Sequence, residues 1–134
     1  MHITTIEPEW VAEQTVINYH REQLAEHGGG EGVRDMGLLQ SALARPQNAF
    51  HYNQVNSLAK LAACYGFGIA KNHAFIDGNK RTAYVVMRAF LVMNGFDLKA
   101  TKEEKYVAIY DLAQGQLSEE ELADWIESKL YQLV

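Results

Sequence analysis

Cysteine is almost missing from this chain. The one present, Cys64, excludes an intrachain disulfide. Its neighbours Ala62, Ala63 and Tyr65 point to a buried thiol that serves as a small apolar core residue rather than a nucleophile. Positive charge is also short, with 12 Lys+Arg against 17 Asp+Glu and a formal net charge of −5. That balance argues against general electrostatic adhesion to nucleic acid or to an acidic membrane, while leaving room for a local basic site. Long apolar runs are missing as well. The longest, Ala83–Met87 and Ala89–Met93, are about five residues, against the ~20 that a membrane-spanning helix needs. Residues Met1 to Thr5 show no basic stretch followed by an apolar one, so no signal peptide is expected and a reducing cytoplasm is the expected compartment.

What is present is the make-up of an ordinary globular domain: 134 residues, 48% hydrophobic and 22% charged. A chain of this size buries about two-thirds of its unfolded surface and needs no staple, so one domain over residues 1–134 is expected. The patterning is all-α. A first helix is expected from near Pro8 to about Glu26, where Gly28-Gly29-Gly30-Glu31-Gly32 stops it. Asp35 can cap a short second helix, Met36 to Ala44, which Pro46 ends. Gln47–Gln54 has amides and aromatics without a helical period and reads as an extended flap. Asn56 or Ser57 then caps a third helix with Leu58, Leu61, Ala62, Tyr65 and Ile69 on one face. Gly66 and Gly68 inside it point to close helix–helix packing. From Thr82 to Met93 the only charged residue is Arg88, which predicts a buried central helix, and Gly95 is its expected left-handed stop. Two more helices open with S/T-x-x-E capping boxes, Thr101 with Glu104 and Ser118 with Glu121. The last carries an apolar stripe of Leu122, Trp125 and Ile126.

The chemistry is concentrated in His73-Ala74-Phe75-Ile76-Asp77-Gly78-Asn79-Lys80-Arg81. Gly78 and Asn79 precede a helix, so the N–H groups of its first turn, with the helix dipole, form an anion site suited to phosphate. Lys80 and Arg81 add full positive charge beside it. Asp77 is a hard oxygen ligand able to hold Mg²⁺ through one carboxylate. His73 is a ready general base near neutral pH, and Phe75 reads as an apolar anchor for the loop. Each has a plainer reading: His73 as a helix C-terminal residue, Asp77 and Asn79 as N-caps, Arg81 as a surface charge. It is their assembly next to one helix N-terminus that favours a phosphate site. Arg34 and Asp35 read as an N-cap plus a loop-to-core salt link rather than as a second functional pair. Arg88 either reaches the phosphate site or pairs with an acid later in the chain.

His73 to Arg81 resembles the signature loop of the Fic/Doc superfamily, commonly His-x-Phe-x-(Asp/Glu)-Gly-Asn-Gly-Arg. Lys80, in place of the second glycine, is similar to the Doc, or death-on-curing, branch. Gly32-Val33-Arg34-Asp35-Met36-Gly37-Leu38-Leu39 and Ala42-Leu43-Ala44-Arg45-Pro46 resemble that branch too, so the likeness runs from about Glu13 to Leu98. It implies a compact helical bundle around a buried central helix with a short flap. It also implies roles. His73 would be the base acting on a hydroxyl of a target protein, and Phe75 the loop anchor. Asp77 would ligate Mg²⁺, and Gly78, Asn79 and Lys80 would form the anion nest, with Asn79 adding a side-chain donor. Arg81 would grip a phosphate oxygen of ATP. The Gln47–Gln54 segment would take the flap's place and dock the target as an added strand, with His51 and Tyr52 as target contacts.

The resemblance further implies a toxin of a toxin–antitoxin pair that transfers the γ-phosphoryl group of ATP to a protein hydroxyl, in the Doc branch on elongation factor Tu, halting translation. The inhibitory pattern (Ser/Thr)-x-x-x-Glu-(Gly/Asn) of the superfamily is matched in spacing by Thr5 to Glu9, but Trp10 follows it. A separate Phd-like antitoxin is therefore expected, and neither a membrane nor direct nucleic-acid binding is. The alternatives are Fic-type transfer of AMP and a non-catalytic anion- or partner-binding module. A metal-dependent nuclease would want more carboxylates and a basic surface.

Overall fold

The computed structural model describes residues 2–134. Its elements are α1 (Glu13–His27), α2 (Met36–Asn53), α3 (Leu58–Asn72), α4 (Asn79–Met93), β1 (Phe96–Leu98), α5 (Lys102–Ala113), α6 (Glu119–Lys129) and β2 (Leu130–Gln132). The all-α class is as expected. The central helix is α3, not the Thr82–Met93 segment. α3 buries Leu58, Leu61, Tyr65, Ile69 and nearly every small residue between them, and α2, α4, α5 and α6 all pack on it. Small side chains are the reason, because they let neighbours close on every side. A Cβ on Gly68 would lie 3.2 Å from the Cβ of Ala42, and one on Gly66 would lie 3.0 Å from the Sδ of Met87. α4 instead buries one stripe, Thr82, Ala83, Val86, Met87, Phe90 and Leu91, and leaves Arg88, Val92 and Met93 exposed.

Two expected boundaries move. α1 starts at Glu13 rather than near Pro8, and its N-cap, Ala12, offers no side-chain bond. A tertiary contact fixes the entry: the buried Tyr65 hydroxyl accepts the Val11 N–H at 3.0 Å. α2 runs through Pro46 to Asn53, so Gln47–Gln54 is not an extended flap. An interior proline costs a helix roughly 3 kcal/mol. Here the buried stripe Leu39, Ala42, Leu43 and Pro46 continues into half-buried Ala49 and Phe50, and that packing offsets the loss. The segment ends at Gln54, which is left-handed with φ 58°.

The remaining caps match the sequence. Asp35, Ser57, Thr101 and Ser118 each accept a first-turn N–H, the last two in reciprocal capping boxes, and Gly95 has φ 91°. β1 and β2 pair antiparallel, Phe96 opposite Gln132. Three-residue strands leave too little alternation to be read locally. They tie the chain after α6 to the C-terminal end of α4, where Arg88 makes two bonds to Asp97 at 2.8 and 2.9 Å. Arg88 therefore serves this joint. Among the described residues no helix is long and apolar enough to cross a membrane.

Candidate active site at the α3–α4 junction

The chain reverses between α3 and α4 through a left-handed residue at each end. His73 closes α3 with φ 51° and ψ 45°, and Gly78 opens α4 with φ 76°. Non-glycine residues rarely adopt that region, so His73 holds a strained backbone. Arg34 supports it from outside the loop, donating from Nε to the His73 carbonyl at 2.8 Å and from Nη2 to that of Asn72 at 3.4 Å. The link from Arg34 thus goes to helix-end carbonyls rather than to a carboxylate. The His73 ring is exposed.

Inside the loop Ala74 and Phe75 are buried. Asn79 clasps Phe75: its Oδ1 accepts the Phe75 N–H at 3.1 Å and its Nδ2 donates to the Phe75 carbonyl at 3.0 Å. The side chain of Asn79 is therefore spent on the loop rather than offered as the expected anion donor, and Asn79 can serve an anion only through its backbone N–H. Asp77 is exposed, with Oδ1 accepting the Gly78 N–H at 2.8 Å. The first regular bond of α4 runs from Thr82 N–H to the Gly78 carbonyl at 3.0 Å. The N–H groups of Asn79, Lys80 and Arg81 stand ahead of it at the positive end of the dipole. Arg81 is exposed and, among the described residues, pairs with no carboxylate. Lys80 leans aside, its Nζ 5.0 Å from the ring centre of Tyr110, and Tyr106 stacks on Tyr110.

The expected set His73, Phe75, Asp77, Gly78, Asn79, Lys80 and Arg81 thus stands on one helix–loop–helix connection. His51 and Tyr52 stand elsewhere. They lie on the last turn of α2, where His51 approaches Glu7 at 3.3 Å and Trp10. Trp10 stacks on Phe90, about 16 Å along α4 from its first residue. The segment beside the loop is residues 28–35, of which Gly32 to Asp35 run along Ala74 to Ile76. Val33 bridges Phe75, Ile76 N–H donates to the Gly32 carbonyl at 3.2 Å, and Arg34 N–H donates to that of Ala74 at 2.7 Å.

Two neighbours of the loop lie outside the motif. His20 on α1 is 2% exposed and lies flat on Phe75, with ring centres 3.9 Å apart and a 10° interplanar angle. Its spacing from Val16 and Leu24 on one helix face is the signal that points inward. Gly29 is the other. It has φ +124°, and a Cβ there would lie 2.8 Å from Asp77 Oδ2.

Cys64 is no nucleophile. Burial, then its bond to Glu119, pushes its pKa up to about 12. Among the described residues no cluster of three His, Cys, Asp or Glu side chains could hold a metal. A lone exposed carboxylate beside the first-turn N–H groups of a helix fits Mg²⁺ carried in with a phosphate, since that ion is held by one or two carboxylates plus phosphate oxygens and water.

A helical bundle with this loop between its central helix and the next defines a class. The chain belongs to the Fic/DOC family, whose model matches residues 10–91. Among its relatives, it is 45% identical to Toxin Doc of Mycolicibacterium smegmatis over 74 residues, 54% of this chain and 57% of that protein. It is 28% identical to Protein kinase doc of Escherichia phage P1 over 121 residues, 90% of this chain and 94% of that one. The first alignment thus spans little more than half of the mycobacterial protein.

Proposed function

We propose that the protein is the toxin of a toxin–antitoxin pair and transfers the γ-phosphoryl group of ATP to a hydroxyl of a target protein, by resemblance elongation factor Tu. The observation that carries this reading is the assembly at the start of α4: three first-turn N–H groups and an exposed Arg81 with no carboxylate partner among the described residues. Phosphoryl transfer asks for little else than positioning and charge stabilisation. Arg81 and the amides would hold the transferred phosphate, and Asp77 would hold Mg²⁺, which supplies charge neutralisation. His73 would take the proton of the attacking hydroxyl. The names of the two relatives support a toxin and a kinase. Lys80 supports the γ-phosphoryl over AMP, because it puts a Cβ where close backbone approach would favour glycine. Residues 28–35, beside the loop, would take the flap's place in docking the target.

The position of Glu9 supports control by a separate antitoxin. Glu9 N–H donates to Asn94 Oδ1 at 2.9 Å, and Asn94 Nδ2 donates to the Glu9 carbonyl at 3.0 Å. That pins Glu9 beyond the C-terminal end of α4, about 22 Å of helix from Arg81's end. The glutamate of the Thr5–Glu9 spacing therefore does not cover Arg81.

Expression in bacteria without antitoxin tests the biological role. Growth arrest by the wild type and none by His73→Ala is the expected result. Arrest by both would leave a binding module instead. In extract, label is expected on protein from ATP labelled at the γ-phosphate; label retained from the α-phosphate would replace the kinase reading with AMP transfer.

A further inference from the structure

We infer that His20 is a positioning residue for this reaction: through the Asp77–Gly78 peptide it sets the carboxylate of Asp77. The inference rests on the reading of Asp77 as the metal ligand beside the phosphate site. A buried imidazole is costly unless its N–H finds a partner, and an apolar ring would fill the same space. The nitrogen has a specific one. His20 Nε2–H donates to the Asp77 carbonyl at 2.8 Å, while the ring lies flat on Phe75. A Cβ on Gly78 would be 3.7 Å from His20 Cδ2 and Nε2, so one α1 side chain touches the loop's anchor, its carboxylate residue and its glycine turn.

The peptide group is planar, so a carbonyl held on one side fixes the N–H on the other. That N–H belongs to Gly78 and donates to Asp77 Oδ1 at 2.8 Å. The second carboxylate oxygen faces Gly29, where a Cβ would come within 2.8 Å of Oδ2 and 3.2 Å of Cγ. The carboxylate is held between a donor that His20 orients and a backbone that must stay bare. Ligands held this way by outer partners lose metal affinity when the partner is removed.

The test uses the full chain with His20→Phe, which keeps a flat ring without the donor, and His20→Gln, which restores an N–H near Nε2. The probe is Mn²⁺ with a non-hydrolysable ATP analogue, together with the backbone amide spectrum of residues 77–81 and steady-state kinetics. His20→Phe is expected to weaken binding of the probe about tenfold and to lower kcat similarly, with KM for the protein acceptor unchanged. His20→Gln is expected to recover most of both. Wild-type affinity and wild-type loop amides in His20→Phe would overturn the inference, as would a His20→Gln variant as impaired as His20→Phe. If the Phe variant does not fold, the smaller His20→Leu carries the same expectation and the same contrary result. If wild type and Asp77→Asn bind the probe alike, the metal-ligand reading fails. The amides of 77–81 then decide the positioning alone, expected displaced without the donor and restored with Gln.

Discussion

His73 shows what the functional loop asks of a single residue. It carries the imidazole proposed as the base, yet its backbone is left-handed at φ 51°, which costs a non-glycine residue roughly 1–2 kcal/mol. Strain of this kind is kept where a side chain is needed in that place. His73→Gly is expected to leave the melting temperature unchanged or higher and to abolish transfer, measured by thermal denaturation beside the activity assay. A large fall in melting temperature would mean that the ring has a structural role. Cys64 is the opposite case, a residue with reactive chemistry and no use for it. A thiol pushed up to about 12, against an ordinary value near 8.5, has less than roughly a thousandth of the usual thiolate at pH 8. Iodoacetamide is expected to modify Cys64 at pH 8 only in denaturant. Its raised pKa stabilises the fold fully below the unfolded value near 8.5, and that contribution is lost as pH rises towards 12. The loop residues were legible because their types and order are local. His20 and Gly29 were not, because their roles come from contacts across 57 and 48 residues of chain with Asp77.

Helices were legible where their ends are written locally. Asp35, Ser57, Thr101 and Ser118 cap as their side chains predict. α1 has no such sign, since a distant tyrosine holds its entry, and α2 carries a misleading one, since a proline that normally ends a helix sits here in the buried stripe. The tight elements make a graded prediction. At Gly68 the obstacle to an added methyl is the Ala42 side chain and backbone, with its Cα at 3.3 Å, and neither can step aside without moving α2 from α3. Gly68→Ala is expected to destabilise by about 1–3 kcal/mol. At Gly66 the obstacles are the ends of Met87 and Leu122, which can shift, and alanine also gains roughly 1 kcal/mol of helix propensity. Urea titration should rank Gly66→Ala well above Gly68→Ala; the reverse order would contradict the packing described for α3.

At the scale of the molecule α4 is an axis with different business at its two ends. Its N-terminus presents amides and Arg81, while its C-terminus is a joint where Asn94 holds the N-terminal segment and Arg88 holds β1. The Arg88 guanidinium keeps the Asp97 carboxyl below the usual carboxylate range. A lowered pKa stabilises above the unfolded value near 3.9 and ceases to as pH falls through the folded one. Asp97→Asn is therefore expected to flatten the loss of stability below pH about 4, read from melting temperatures across acid pH, while leaving the loop amides of 77–81 in place. The net charge of −5 would suit the proposed protein target better than nucleic acid, and the local cations of the loop would serve the proposed ATP.

On the proposed reading this loop moves a phosphoryl group onto a protein. Intact-mass measurement of purified elongation factor Tu, incubated with the protein, ATP and Mg²⁺, tests it most directly. A gain of one phosphate, lost with His73→Ala, is the expected result. A gain of one AMP, or the same phosphate gain with His73→Ala, would contradict it.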